Sequence, residues 1–155
     1  MDESQYAKHI LKQPVAQLER DGKVVFNGML GLPEKLNTKC QLLYSIITKP
    51  HINEATPHVH EFPIVMSFFG SDWKNINDFD AEIEFYLGGE RQVITTTAIV
   101  SVPPGLAHCP FIFRRVGKPV VFMEVMLTDS YERIELDIPL KPPFDPGNLG
   151  RYPGK

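Results

Sequence analysis

Little in this 155-residue chain points to a membrane, a nucleic acid or an oxidising compartment. Cysteine is scarce: Cys40 and Cys109 are the only two, too few for a disulfide framework. A reduced, cytoplasmic setting is the expectation that follows. Positive charge is not in excess, since 16 Lys+Arg against 19 Asp+Glu give a net charge of −3. No basic stripe is available for a phosphate backbone, so nucleic acid is not an expected partner. The longest mostly apolar run, 62–69, is far shorter than the roughly 20 residues of a membrane-spanning helix. Met1-Asp2-Glu3-Ser4 has neither the basic start nor the apolar run of a secretion signal, and no membrane association is expected.

Long stretches free of breakers are also missing. Fourteen prolines make up about 9% of the chain, against a usual level of about 5%. Proline is excluded from helix interiors and central strands, so a helical bundle is nearly excluded and many turns are expected. The apolar content of 43% nevertheless supports one folded domain, 1–155. Residues 4–12 read as a short helix, with Ser4 as its cap and Pro14 as its stop. Strands are expected over 24–26, 41–48, 58–69, 81–87, 92–102, 110–115 and 119–127. Gly70-Ser71-Asp72, Gly88-Gly89, Pro103-Pro104-Gly105 and Gly117-Lys118-Pro119 punctuate them. Short strands at this spacing predict an all-β sandwich or barrel with a core over about 24–127. The polar excursion 72–80, which contains Trp73, either covers one barrel end or is a plain hairpin tip. Prolines 139, 142, 143, 146 and 153 make 128–155 an extended arm that could embrace a second subunit.

The chemistry lies in the histidines. His58 and His60 are two apart at the start of a strand, so both imidazoles project from one face and can chelate a divalent cation. His108 follows a Pro-Gly turn, Pro103-Pro104-Gly105-Leu106-Ala107. Taken singly, each is as well read as a surface or hydrogen-bonded histidine. His9 and His51 are read as structural.

His-x-His, followed about 45 residues later by Pro103-x-Gly105-x-x-His108 in an all-β chain, resembles the cupin superfamily. The resemblance covers about 40–127, with Gly70 as a candidate closing glycine of the first motif. The run Ala81-Glu82-Ile83-Glu84-Phe85-Tyr86-Leu87-Gly88, together with the residues around His108, is similar to a group of small single-domain cupins. The resemblance implies a double-stranded β-helix, the cupin jelly-roll barrel. It also implies a divalent transition metal (Fe, Zn, Ni or Mn) inside the barrel, a small-molecule substrate or ligand, and a homodimer. In such barrels the metal is usually held by the two histidines and a glutamate of the first motif and the histidine of the second.

The glutamate is absent here. Its usual place, four residues after the second histidine, is Ile64. Strand parity puts His60, Phe62, Ile64, Met66 and Phe68 on one face and turns Glu61 away. Three readings are open. His58, His60 and His108 could form a three-histidine site, as in the cupin cysteine and gentisate dioxygenases; neutral imidazoles suit Fe(II), Zn, Ni or Cu. Alternatively, Glu82 could supply the carboxylate, since it precedes Gly89 by seven residues, and Glu84 and Tyr86 share its face. Against this, both glutamates face water if Ile83, Phe85 and Leu87 face the core. Finally, the barrel could have lost its metal and use Ile64 and Met66 to bind an apolar ligand or nothing. The candidate metal set is therefore His58, His60, His108 and Glu82, and the candidate pocket set is Ile64, Met66, Glu84 and Tyr86. Glu124, within an apolar strand, either faces the pocket as a general base or pairs with Arg114 or Arg115, and the ion pair is preferred. Cys109 is expected to turn to the face opposite His108 as a buried, inert thiol.

Overall fold

The structure, a computed structural model, describes residues 4–20, 22–147 and 149. Among the described residues, twelve strands carry the fold. They are β1 (Val15–Arg20), β2 (Lys23–Gly31), β3 (Gln41–Ile47), β4 (His51–Glu54), β5 (His58–Val59) and β6 (Ile64–Gly70). The second half comprises β7 (Ala81–Leu87), β8 (Glu90–Ile94), β9 (Ala98–Val102), β10 (His108–Val116), β11 (Val120–Met126) and β12 (Ile134–Glu135). One antiparallel sheet has the order β1-β2-β3-β11-β6-β9. The other has the order β12-β5-β10-β7-β8, with β4 also pairing with β10. From β3 onward the chain passes repeatedly from one sheet to the other, as a jelly roll requires. No helix of the described residues is long and apolar enough to cross a membrane.

Alternation along the strands builds the core. In β6, Ile64, Met66 and Phe68 point inward between half-buried Val65, Ser67 and Phe69. In β7 the inward set is Ala81, Ile83 and Phe85. The centre is aromatic: Phe68 stacks on Phe122 at 5.2 Å, and Phe111 meets both edge-on at 5.7 and 5.5 Å.

Several sequence expectations change. The helix expected over 4–12 is a single 3-10 turn, Ala7–His9, with Ser4 Oγ accepting only the Tyr6 N–H. Nine residues ended by a proline are too few to sustain a helix that buries nothing. The strand expected over 58–69 is two strands in different sheets, β5 and β6, parted at 60–63, where Pro63 lacks a ladder donor. Likewise, 92–102 divides at Thr95-Thr96-Thr97 into β8 and β9. β1, β4 and a four-residue helix, Pro33–Leu36, were not anticipated. Trp73, in the polar excursion, is 84% exposed, so among the described residues it does not cover a barrel end.

The described part of the arm folds back on its own barrel; Pro153 and its neighbours lie outside the described residues. β12 pairs with β5, and Lys141 N–H donates to the Gly89 carbonyl at 2.8 Å. Tyr86 Oη donates to the Pro142 carbonyl at 3.0 Å, while Arg114 donates to the carbonyls of Asp145 and Gly147. Gly89 permits this close approach. It has φ +83°, and a Cβ there would stand 2.6 Å from the Pro139 carbonyl oxygen. Gly89→Ala is therefore expected to lower stability by about 1–3 kcal/mol, read by denaturant unfolding. An unchanged midpoint would mean that the arm is not held at this point.

Candidate metal centre

Two local structures bring three histidines together. His58 opens β5 and stands directly opposite His108, the first residue of β10. His60 follows in the turn that leads to β6. The Pro103–Leu106 turn is closed by Leu106 N–H to the Pro103 carbonyl at 3.2 Å, with Gly105 at φ +79°. The Gly105 N–H donates to the His60 carbonyl at 2.8 Å, which ties the two histidine motifs together through the backbone.

All three rings are buried, and their ligand atoms lie within 4.8 Å of one another. Ring centroids are 4.8 Å apart for His58 and His60, 4.4 Å for His58 and His108, and 5.1 Å for His60 and His108. Each Nδ1 meets a backbone carbonyl: Thr56 at 2.8 Å, Glu132 at 2.7 Å and Leu106 at 3.0 Å, respectively. A carbonyl only accepts, so each Nδ1 must carry a proton, which leaves Nε2 as the nitrogen available to a ligand. Burial pushes His108 down to about 4, despite the Leu106 carbonyl, with the neighbouring His58 and His60 adding to the depression. Burial also lowers His60. The donor set is thus three imidazoles, each oriented from behind as metal-bound histidines are, and it fits a divalent transition metal.

The rings line a cavity of about 100 Å³. Ile64 and Met66 form part of its wall, so those two expected pocket residues do join the histidines. Glu82, Glu84 and Tyr86 do not. They stand on the face of β7 opposite Ile83 and Phe85 and are absent from the cavity lining. Glu82 is half-buried there, Glu84 pairs with Arg114 at 3.0 Å and Arg91 at 3.5 Å, and Tyr86 is taken by the arm. The carboxylate expected from Glu82 is therefore not delivered to the histidines, because strand alternation points it the other way.

Two further corrections concern the cavity wall. Cys109 lines it alongside His108 instead of turning away. A register shift between His108 and Phe111, with φ +71° at Cys109, breaks the alternation that would have separated them. The thiol remains buried, and burial holds it well above its ordinary pKa. Glu124 also lines the cavity. The ion pair preferred for it does not form, since Arg114 is engaged by Glu84 and Arg115 by Asp80. Burial alone pushes Glu124 up to about 7.

Sequence reasoning missed Glu54, Tyr131 and Arg133. Glu54 lines the cavity and accepts from Thr56 N–H at 2.9 Å and Arg133 Nη1 at 2.6 Å. Burial would raise its pKa, but these two donors hold it below the ordinary value. The Tyr131 ring lies 5.1 Å from that of His60. Both Tyr131 and Arg133 come from the proline-rich tail, which carries no local signal that it returns to the site.

No family model matches the chain, and no curated protein matches it. Solved structures do. HppE in its Fe(II) form superposes with a TM-score of 0.53 at 13% identity, over 74% of this chain and 56% of that one. An oxalate decarboxylase variant of B. subtilis gives 0.52 at 13% identity, over 77% and 29%. The Lactobacillus farciminis oxalate decarboxylase formate complex gives 0.50 at 13% identity, over 79% and 33%. All are cupin-fold proteins. The chain has the cupin fold. The likeness is one of fold, and this chain spans about half of HppE and about a third of each oxalate decarboxylase. The cupin barrel explains why residues 50 apart, His58 and His108, face each other across paired strands.

The buried groups give the metal-free barrel a defined pH response. Glu124 has a folded pKa of about 7, above its ordinary 4.5. Its contribution to stability is fully present below about 4.5 and lost as pH rises through about 7. The loss amounts to about 3 kcal/mol. His108 acts oppositely: its contribution is present above 6.5 and lost as pH falls through about 4. Unfolding of metal-free protein and of Glu124→Gln across this range isolates the first effect. The wild type should lose stability relative to the variant between pH 4.5 and 7. Parallel curves would show that Glu124 is solvated.

Proposed function

We propose that this chain is a divalent-metal-binding cupin and a metal-dependent enzyme acting on a small organic substrate. One observation carries the reading: three buried imidazoles have their Nδ1 atoms held by backbone carbonyls and their ligand atoms gathered within 4.8 Å. Three protein ligands leave coordination positions open for substrate. The Fe(II) of HppE supports iron as the metal, and Zn, Ni and Mn are the alternatives. When bound, the cation supplies Lewis-acid polarisation of a substrate oxygen or activation of oxygen or water.

The chain's own residues set the size and surroundings of the reaction. A cavity of about 100 Å³ is well below the roughly 300–1,000 Å³ of pockets for drug-sized ligands. The substrate is therefore a molecule of a few non-hydrogen atoms, or the reactive end of a larger one. The formate bound by the Lactobacillus farciminis enzyme is of that size class. Ile64, Met66 and Phe111 give the cavity its apolar lining, and Asn53, Glu54 and Tyr131 add polar lining. The apolar wall favours a second reading, a small-molecule binding or sensing barrel without turnover.

Metal analysis of protein purified without added metal decides between binding and no binding. About one transition metal per chain is expected, with His58→Ala, His60→Ala and His108→Ala each weakening affinity by more than about 100-fold. Sub-stoichiometric metal that these changes leave unaltered would contradict the proposal. A homodimer is also proposed, supported by exposed Val15, Val24, Met29 and Ile46 on β1–β3. Light scattering should give twice the chain mass, and a monomeric mass would remove that part.

A further inference from the structure

β11 is apolar along Val120-Val121-Phe122-Met123 and again at Val125-Met126, with one charged residue between. That residue, Glu124, is held between two strands, opposite Leu43 of β3 and Met66 of β6. Its side chain is 8% exposed and lines the same cavity as His58, His60 and His108. Among the described residues no hydrogen bond or ion pair reaches it, and burial is the sole influence on its ionisation. Glu54, the other acid in the wall, is already satisfied by Thr56 and Arg133.

A carboxylate buried without a partner is an expensive thing to maintain. So is a divalent cation buried on three neutral imidazoles. Each removes the other's cost, and the two face one cavity. Glu124 lies outside the group of ligand atoms gathered within 4.8 Å and shares the cavity wall with them. We propose that Glu124 is the anionic partner of the cation held by His58, His60 and His108, and that it replaces the acid absent at Ile64. The carboxylate has in effect moved from β6 to β11, the adjacent strand in the same sheet, and still points inward. The inference rests on the three-histidine metal reading and adds a fourth, charged participant from a strand that neither histidine motif includes.

The test uses Co(II) as the probe, titrated into metal-free full-length protein against a competing chelator. Glu124→Gln, which removes the charge and keeps the shape, should bind Co(II) about 10–100-fold more weakly. Its metal-free melting temperature should be no lower than that of the wild type, whereas the Co(II)-induced rise should shrink. A merely structural glutamate would give the reverse pattern. Glu124→Met, similar in volume and apolar, gives a second reading of the same quantity should the glutamine variant fail to fold. Adding Ile64→Glu to Glu124→Gln returns a carboxylate to β6 and should recover most of the lost affinity. Equal Co(II) affinity in the wild type and either Glu124 variant overturns the inference while leaving the three-histidine site intact. No Co(II) binding by the wild type overturns the site itself.

Discussion

Three hydrogen bonds from histidine Nδ1 atoms to backbone carbonyls determine what this barrel can do. The carbonyls of Thr56, Glu132 and Leu106 cannot donate, so they leave one tautomer for His58, His60 and His108. With that tautomer fixed, three lone pairs converge in a buried space. Burial lowers the pKa of His60 and His108, which favours their uncharged form. Glu54 in the cavity wall is already engaged by Thr56 and Arg133, which is why the carboxyl of Glu124 matters.

The carbonyls come from three parts of the chain, and much of the fold serves to bring them there. Thr56 precedes β5, Leu106 belongs to the Pro-Gly turn, and Glu132 lies 72 residues from His60 in the segment before β12. The Gly105 N–H to the His60 carbonyl locks the first two together. β12 on β5, and Arg133 on Glu54 and Glu135, lock the third. The proline-rich arm is therefore part of the site's support. Beyond β12 it continues over the outer face of its own sheet, where Tyr86 and Arg114 bond its carbonyls and Glu84 pairs with Arg114.

The two histidine motifs were legible as short local patterns, His-x-His and a Pro-Gly turn ahead of His108, and the resemblance to cupins joined them; His60 itself lies in the turn after β5 and not on the expected strand. The inward set Ile64, Met66 and Phe68 was readable as a local pattern too, and it survives the break at 60–63 because β6 starts in phase. Parity failed where a local distortion reset it. The left-handed backbone at Cys109 puts neighbouring side chains on one cavity wall, and nothing in His108-Cys109-Pro110 announces that bulge. Partner choice was not readable either. Whether Glu124 or Glu84 pairs with Arg114 depends on which faces of β7, β10 and β11 meet, and that is settled by the sheet order. Glu54, Tyr131 and Arg133 were invisible because they reach the site only through long-range strand pairing.

The most direct measurement is a crystal structure of the protein purified without added metal, with anomalous scattering collected at the absorption edges of the candidate metals. The account predicts one peak about 2.0–2.2 Å from the Nε2 atoms of all three histidines, with each Nδ1 still on its carbonyl. A peak coordinated through any Nδ1, or none at the triad beside a peak elsewhere, would contradict it.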